Sequence, residues 1–186
     1  SFAVVAAGAC GLAVVIAGLH VLALREHGWS TQSGMQLALL NVLCFAAIVI
    51  GAYNLLFSIQ PASKPAWPAW VPVAVLTLGF PGLVLALFSF QADDHFVANG
   101  VRCLAGGIML SAMTAGAAYA FARRGYSTDW GRSGALIGTI SAAVAMLALQ
   151  LSCPDHEVAH LLVFHGSSIA LSIVCGYWLG RRPLGN

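Results

Sequence analysis

Charge is what this chain has least of. Asp, Glu, Lys and Arg together make up 8% of its 186 residues, against about 25% in soluble globular domains. So few charges cannot cover the surface of a soluble fold of this length, which makes lipid the solvent of most of the molecule. The net charge is only +2 and the basic residues form no stripe, so direct nucleic-acid binding is not expected. The five cysteines include no Cys-x-x-Cys pair, which removes zinc ribbons and thioredoxin-like motifs from consideration. No connection is long enough for a soluble domain, and there is neither a low-complexity tract nor an internal repeat. The chain opens at Ser1 already inside an apolar run, without an initiator Met or a basic n-region. The first apolar stretch therefore does not read as a secretory signal.

What the chain has is hydrophobic length. Its mean hydropathy is +0.88, and a membrane helix needs roughly 20 apolar residues. Six runs meet that need, at about 2–24, 34–58, 67–90, 100–122, 134–152 and 155–179. They predict an all-α polytopic protein, one six-helix transmembrane domain over residues 1–186. Pro68 and Pro72 mark the start of the third helix, and Pro81 predicts a kink inside it. Gly and Ala are dense around Gly134–Gly138 and after Thr114, where small residues let helices approach closely in lipid. Trp29, Trp67, Trp70, Trp130 and Trp178 fall near predicted helix ends, as interfacial aromatics do.

The basic residues set the orientation. With six helices, one side of the membrane holds Lys64, Arg123, Arg124, Arg132, Arg181 and Arg182, and the other only Arg25 and Arg102. The positive-inside rule then places both termini in the cytoplasm. The pairs Arg123–Arg124 and Arg181–Arg182 read as topology anchors at the anionic inner leaflet.

This orientation gathers the sulfur and imidazole groups on the far side. The stretch CPDHEVAHLLVFH at 153–165 carries Cys153, His156, His160 and His165. With Pro154 in a first helical turn, Cys153 is expected as an N-cap. His156 and His160, four apart, would share a helix face. Cys153, His156 and His160 form a plausible ligand set for Zn or Cu, against the plainer reading of a polar helix cap with first-turn acids. His165 lies on another face of a straight helix and joins only through a distortion. Cys103 and Cys153 meet the same boundary, either as a disulfide or as two unlinked thiols. Asp94 and His95 are possible further contributors, and Arg102 either snorkels to the headgroups or pairs with Asp93 or Asp94. Cys10, Cys44 and Cys175 read as small core residues. His20 and Asn54 are expected to hydrogen-bond neighbouring helices.

Residues 101–183 resemble the NrsF-like family of polytopic anti-sigma regulators. The resemblance rests on RCL at Arg102–Leu104, RRG at Arg123–Gly125, GALIG at Gly134–Gly138, LSCPD at Leu151–Asp155 and LGRRPL at Leu179–Leu184. It implies a non-enzymatic regulator that holds a sigma factor through a cytoplasmic segment before helix one. It also implies that a periplasmic signal acts at Cys103 and Cys153. Two alternatives stand beside it. One is a non-catalytic accessory subunit packed against other membrane subunits through Gly/Ala faces. The other is a zinc-dependent membrane hydrolase, since HEVAH followed by HGSS resembles the HxxxH helix of ceramidase- and progestin-receptor-type enzymes.

Overall fold

The computed structural model describes residues 31–60, 67–90, 96–125, 127, 129–153 and 155–182. The first predicted helix, with Cys10 and His20, lies outside the described residues, as do Trp29, His27, Lys64, Asp93, Asp94, His95 and Pro154. Every regular element among the described residues is a helix, with no strand among them. They form α1 (Thr31–Ser58), α2 (Trp70–Leu87), α3 (Phe96–Ala122), α4 (Trp130–Ser152), a short α5 (Val158–His160), a π-helical turn (Leu161–His165) and α6 (Gly166–Arg181). The last three run continuously, so the described residues hold five segments long and apolar enough to cross a membrane.

Helix starts depart from the sequence expectation by three or four residues in both directions. α4 begins at Trp130 because the Asp129 carboxylate caps it, accepting from the Arg132 N–H at 3.0 Å. That satisfies one of the donors a helix N-terminus leaves open. Cys153 is a C-cap, not an N-cap: its N–H donates to Leu149 O at 2.7 Å, and its ψ is 124°. The following Pro154 explains this, since a residue before proline is pushed out of the α region. The next helix then begins only at Val158. α2 runs through Pro81.

α4 is the axis of the bundle. It packs most extensively on α6, and also on α1 and α3. One apolar cluster joins Leu40, Cys44, Leu76, Phe80, Met146 and Leu161, and a second joins Leu55, Ile59, Leu136 and Ile137. The tightest seam is between α4 and α6. A Cβ added to Gly134 would lie 2.1 Å from Gly176 O, and one added to Gly138 would lie 2.3 Å from Ser172 O. From the other side, a Cβ on Gly176 would lie 2.4 Å from Gly134 O, and one on Gly180 2.1 Å from Trp130 O. Only glycine permits such backbone contact, the closest form of helix association in lipid.

Two expectations about single residues change. Asn54 is buried, but its Nδ2 donates to Ile50 O of its own helix at 2.9 Å, not to a neighbour. A carbonyl one turn back is always within reach of a short amide on a helix. Cys175 is exposed on the outer face of α6 rather than packed in a core.

The bundle has two chemically distinct ends. At one, Arg123, Arg124, Arg132, Arg181 and Arg182 are all exposed. There Ser133 Oγ meets Ser58 Oγ at 3.1 Å and Ser127 Oγ at 2.9 Å. Trp67, Trp70, Trp130 and Trp178 lie at this same end. At the other end Gln36 donates to Leu87 O, and the Val158 N–H to Ser89 O at 3.4 Å. Arg102 is the only Lys or Arg at that end among the described residues, and Asp93 and Asp94 lie outside them.

Candidate functional site

Three chain segments bring four ligating side chains together at the end away from the arginines. α3 supplies Cys103, the α4 C-cap supplies Cys153, the end of α5 supplies His160 and the π turn after it supplies His165. One sulfur or ring nitrogen from each lies within 4.8 Å of all the others. The Cys103 and Cys153 sulfurs are 3.0 Å apart and not bonded as a disulfide. Cys153 Sγ is 3.2 Å from His160 Nε2 and donates to Asp155 O at 3.3 Å.

Local sequence explains each placement. On α3, Gly100, Cys103, Gly107 and Ser111 recur at helical spacing and form one inward stripe. The glycines let α3 come close. A Cβ on Gly100 would sit 1.9 Å from the Phe164 ring, and one on Gly107 would sit 2.6 Å from Ser168 Oγ. Cys103 lies between them and so reaches the interior. Phe96 and Phe164 wall the cluster, with ring centroids 5.1 Å apart, and Phe164 stands 5.3 Å from His160.

His165 enters through backbone geometry. In an α-helix, residues five apart point about 140° away from each other. Here the Gly166 N–H donates to Leu161 O, five residues back. This π turn holds one extra residue and brings positions 160 and 165 onto one face, with rings 5.4 Å apart. Both imidazoles are fully buried. Neither ring nitrogen of His165 has a hydrogen-bond partner among the described residues. A buried polar group left so is costly. π bulges recur at functional sites.

Behind His160 stands a carboxylate: Nδ1 is 3.0 Å from Asp155 Oδ2. Asp155 is itself fixed, since Oδ1 accepts from the Glu157 N–H at 3.1 Å. This orients the ring so that Nε2 faces the sulfurs, the arrangement that supports metal-ligating histidines. The set Cys2His2 can hold a thiophilic cation such as Zn2+ or Cu+. A tetrahedral zinc would need ligand–ligand edges of roughly 3.3–3.8 Å, so the 3.0 and 3.2 Å contacts would open slightly and the wider separations, up to 4.8 Å, would close by about 1 Å.

His156 stands apart from the four. It precedes α5 instead of lying on it, and its Nε2 is 3.3 Å from Gln150 O. Burial lowers its pKa, opposed by that carbonyl contact. The ligand set expected from Cys153, His156 and His160 thus loses His156 and gains Cys103 and His165. The cause is the extended Cys153–Glu157 link, which takes His156 off the helix face. Hydrogen bonding to Cys103, then burial, raises the Cys153 thiol above the ordinary thiol range. Asp94 and His95 lie outside the described residues.

A family model described as NrsF, negative regulator of sigma F, matches residues 1–185. The resemblance therefore extends well beyond residues 101–183, over essentially the whole chain. No curated protein matches the sequence. No solved structure matches it either. By the extent of that family match, the chain belongs to the NrsF family of negative regulators of sigma F.

Proposed function

We propose that this protein is a membrane-embedded anti-sigma regulator that takes its signal at the Cys103–Cys153–His160–His165 cluster and acts on a sigma factor at the opposite, arginine-rich face. The observation that carries this reading is the separation of chemistries within one bundle. Nucleophilic and metal-ligating groups gather at one end and exposed arginines at the other. α4 and α6 connect the two ends through glycine-on-backbone contact, so a movement at one end is felt at the other. Packed interfaces of this kind shift between discrete arrangements instead of deforming smoothly.

In this reading the arginine end faces the cytoplasm of a bacterial inner membrane, following the positive-inside rule. The cluster then faces the periplasm. The sigma factor is held through chain on the N-terminal side of the first predicted helix, with no DNA contact by this protein. Catalysis is not part of the role. The HxxxH resemblance has less support, because His156 and His160 do not converge.

The test is a sigma-dependent reporter in cells carrying the full chain. Cys103→Ser and Cys153→Ser should each fix the reporter at one level under conditions where the wild type changes it. A reporter that still responds normally in either variant would remove the cluster from signalling.

A further inference from the structure

We propose that Cys103, Cys153, His160 and His165 bind one thiophilic d10 cation, Zn2+ or Cu+, and that the π turn makes occupancy of this site set the rotational register of α6 against α4. The inference rests on the reading above, that the cluster is where signal enters.

Two independent observations point to a ligand. The first is the convergence of two sulfurs and two imidazoles within 4.8 Å. The second is the state of His165 within that group: it is fully buried, and neither ring nitrogen makes a hydrogen bond of ordinary geometry among the described residues. A soft cation satisfies that nitrogen and both sulfurs together, and Asp155 already holds His160 in the ligating orientation. Binding displaces protons from the thiols.

The register follows from counting residues. The π turn carries one residue more than an α turn needs, and a bound ion that requires both histidines keeps it there. When His165 is released, relaxation to α geometry turns everything beyond it by about 100° and advances it by about 1.5 Å. Each residue then takes the face that its successor holds now. Cys175 would arrive where Gly176 sits, and Leu179 where Gly180 sits. Neither has room: a Cβ at those two positions falls 2.4 Å from Gly134 O and 2.1 Å from Trp130 O. α6 must therefore separate from α4, and the separation reaches Tyr177, Arg181 and the arginine end. The glycine seam favours the π register, and the ion adds to it.

Deleting Val163 tests this. Val163 is 49% exposed and lies in the π turn. Its removal leaves His160 and His165 four apart on one face of a plain α-helix, and the seam stays in register. The site survives, but the spare residue that permits the turn is gone. The probe in vitro is Co2+, titrated into the full chain in lipid nanodiscs as a stand-in for Zn2+. Wild type and the deletion variant should both give thiolate-to-cobalt charge-transfer and tetrahedral ligand-field bands. His165→Ala should weaken binding more than about tenfold. In cells, the sigma-dependent reporter of the wild type should change several-fold between zinc-replete and chelator-treated medium. The deletion variant should hold one level in both.

Absence of Co2+ binding by the wild type overturns the site. A deletion variant that binds Co2+ and still responds like the wild type overturns the register coupling. A Cys103→Ser variant with normal signalling overturns the earlier reading instead. Should the deletion variant not fold, Gly176→Ala replaces it. It lies ten residues beyond Gly166, about 15 Å along the helix, and touches no ligand. The coupling predicts more than about tenfold weaker Co2+ binding with helical content retained, and unchanged binding overturns it.

Discussion

His160 and His165 are five residues apart in sequence, yet their rings meet edge to face with centroids 5.4 Å apart. A straight α-helix would turn them away from each other. The extra residue of the π turn is therefore part of the site, as much as the ligands themselves.

The contact between Cys103 and Cys153 predicts their chemistry. At 3.0 Å between sulfurs, the two thiols should be joined by diamide, which takes up two electrons and two protons as the S–S bond forms. Peptide mapping without reductant should find the Cys103–Cys153 link, with neither cysteine joined to exposed Cys175. Preloading with Zn2+ should protect both thiols. Formation of mixed pairs would contradict the geometry.

Asp155 and His156 separate two readings of the same segment. Asp155 buttresses His160, so Asp155→Asn should weaken Co2+ binding about 10–100-fold while thermal stability changes little. His156 faces Gln150 O instead, and His156→Ala should leave the affinity within about twofold of wild type. An affinity collapse in His156→Ala would return the HxxxH arrangement to favour. Isothermal or spectroscopic titration measures both.

The glycine seam makes a sharper steric prediction. Gly134→Ala and Gly180→Ala place a methyl against backbone atoms that cannot move aside. Each should destabilise the protein by roughly 1–3 kcal/mol, the usual scale for overpacking. Gly82→Ala and Gly116→Ala meet no atom within 4 Å, and alanine is the better helix former. These two should be neutral or stabilise slightly. Thermal unfolding in detergent, read by circular dichroism, ranks the four.

Gly100 and Phe164 should be coupled. A methyl at position 100 would overlap the Phe164 ring, and Phe164 is the neighbour of His165 within the π turn. Gly100→Ala should therefore weaken Co2+ binding although it touches no ligand. Adding Phe164→Leu should restore much of the loss, a non-additivity expected of residues in contact.

The spans were largely legible in the sequence because hydropathy over 20 residues integrates many side chains. The run predicted at 34–58 ends with α1 at Ser58, and the run at 100–122 ends with α3 at Ala122. The starts were harder. Trp130–Ser133 looks like a polar loop unless Asp129 is recognised as a cap. Cys103 and Cys153 could be placed at one membrane boundary from topology alone. The partnership with His165 could not, because the residues of Leu161–His165 carry no mark of a π turn. Its driving contacts lie on α3, where Gly100 makes room for Phe164. The spacing Gly100–Cys103–Gly107–Ser111 was the available signal that Cys103 faces inward.

The most direct test of the central claim is what remains bound when the full-length protein is purified from its own membranes in mild detergent. A negative regulator of this kind should retain a sigma factor in near-stoichiometric amount and lose it when Cys103 and Cys153 are both replaced or when the inducing condition is applied. A preparation that carries a fixed set of other membrane subunits and no sigma factor under any condition would contradict it.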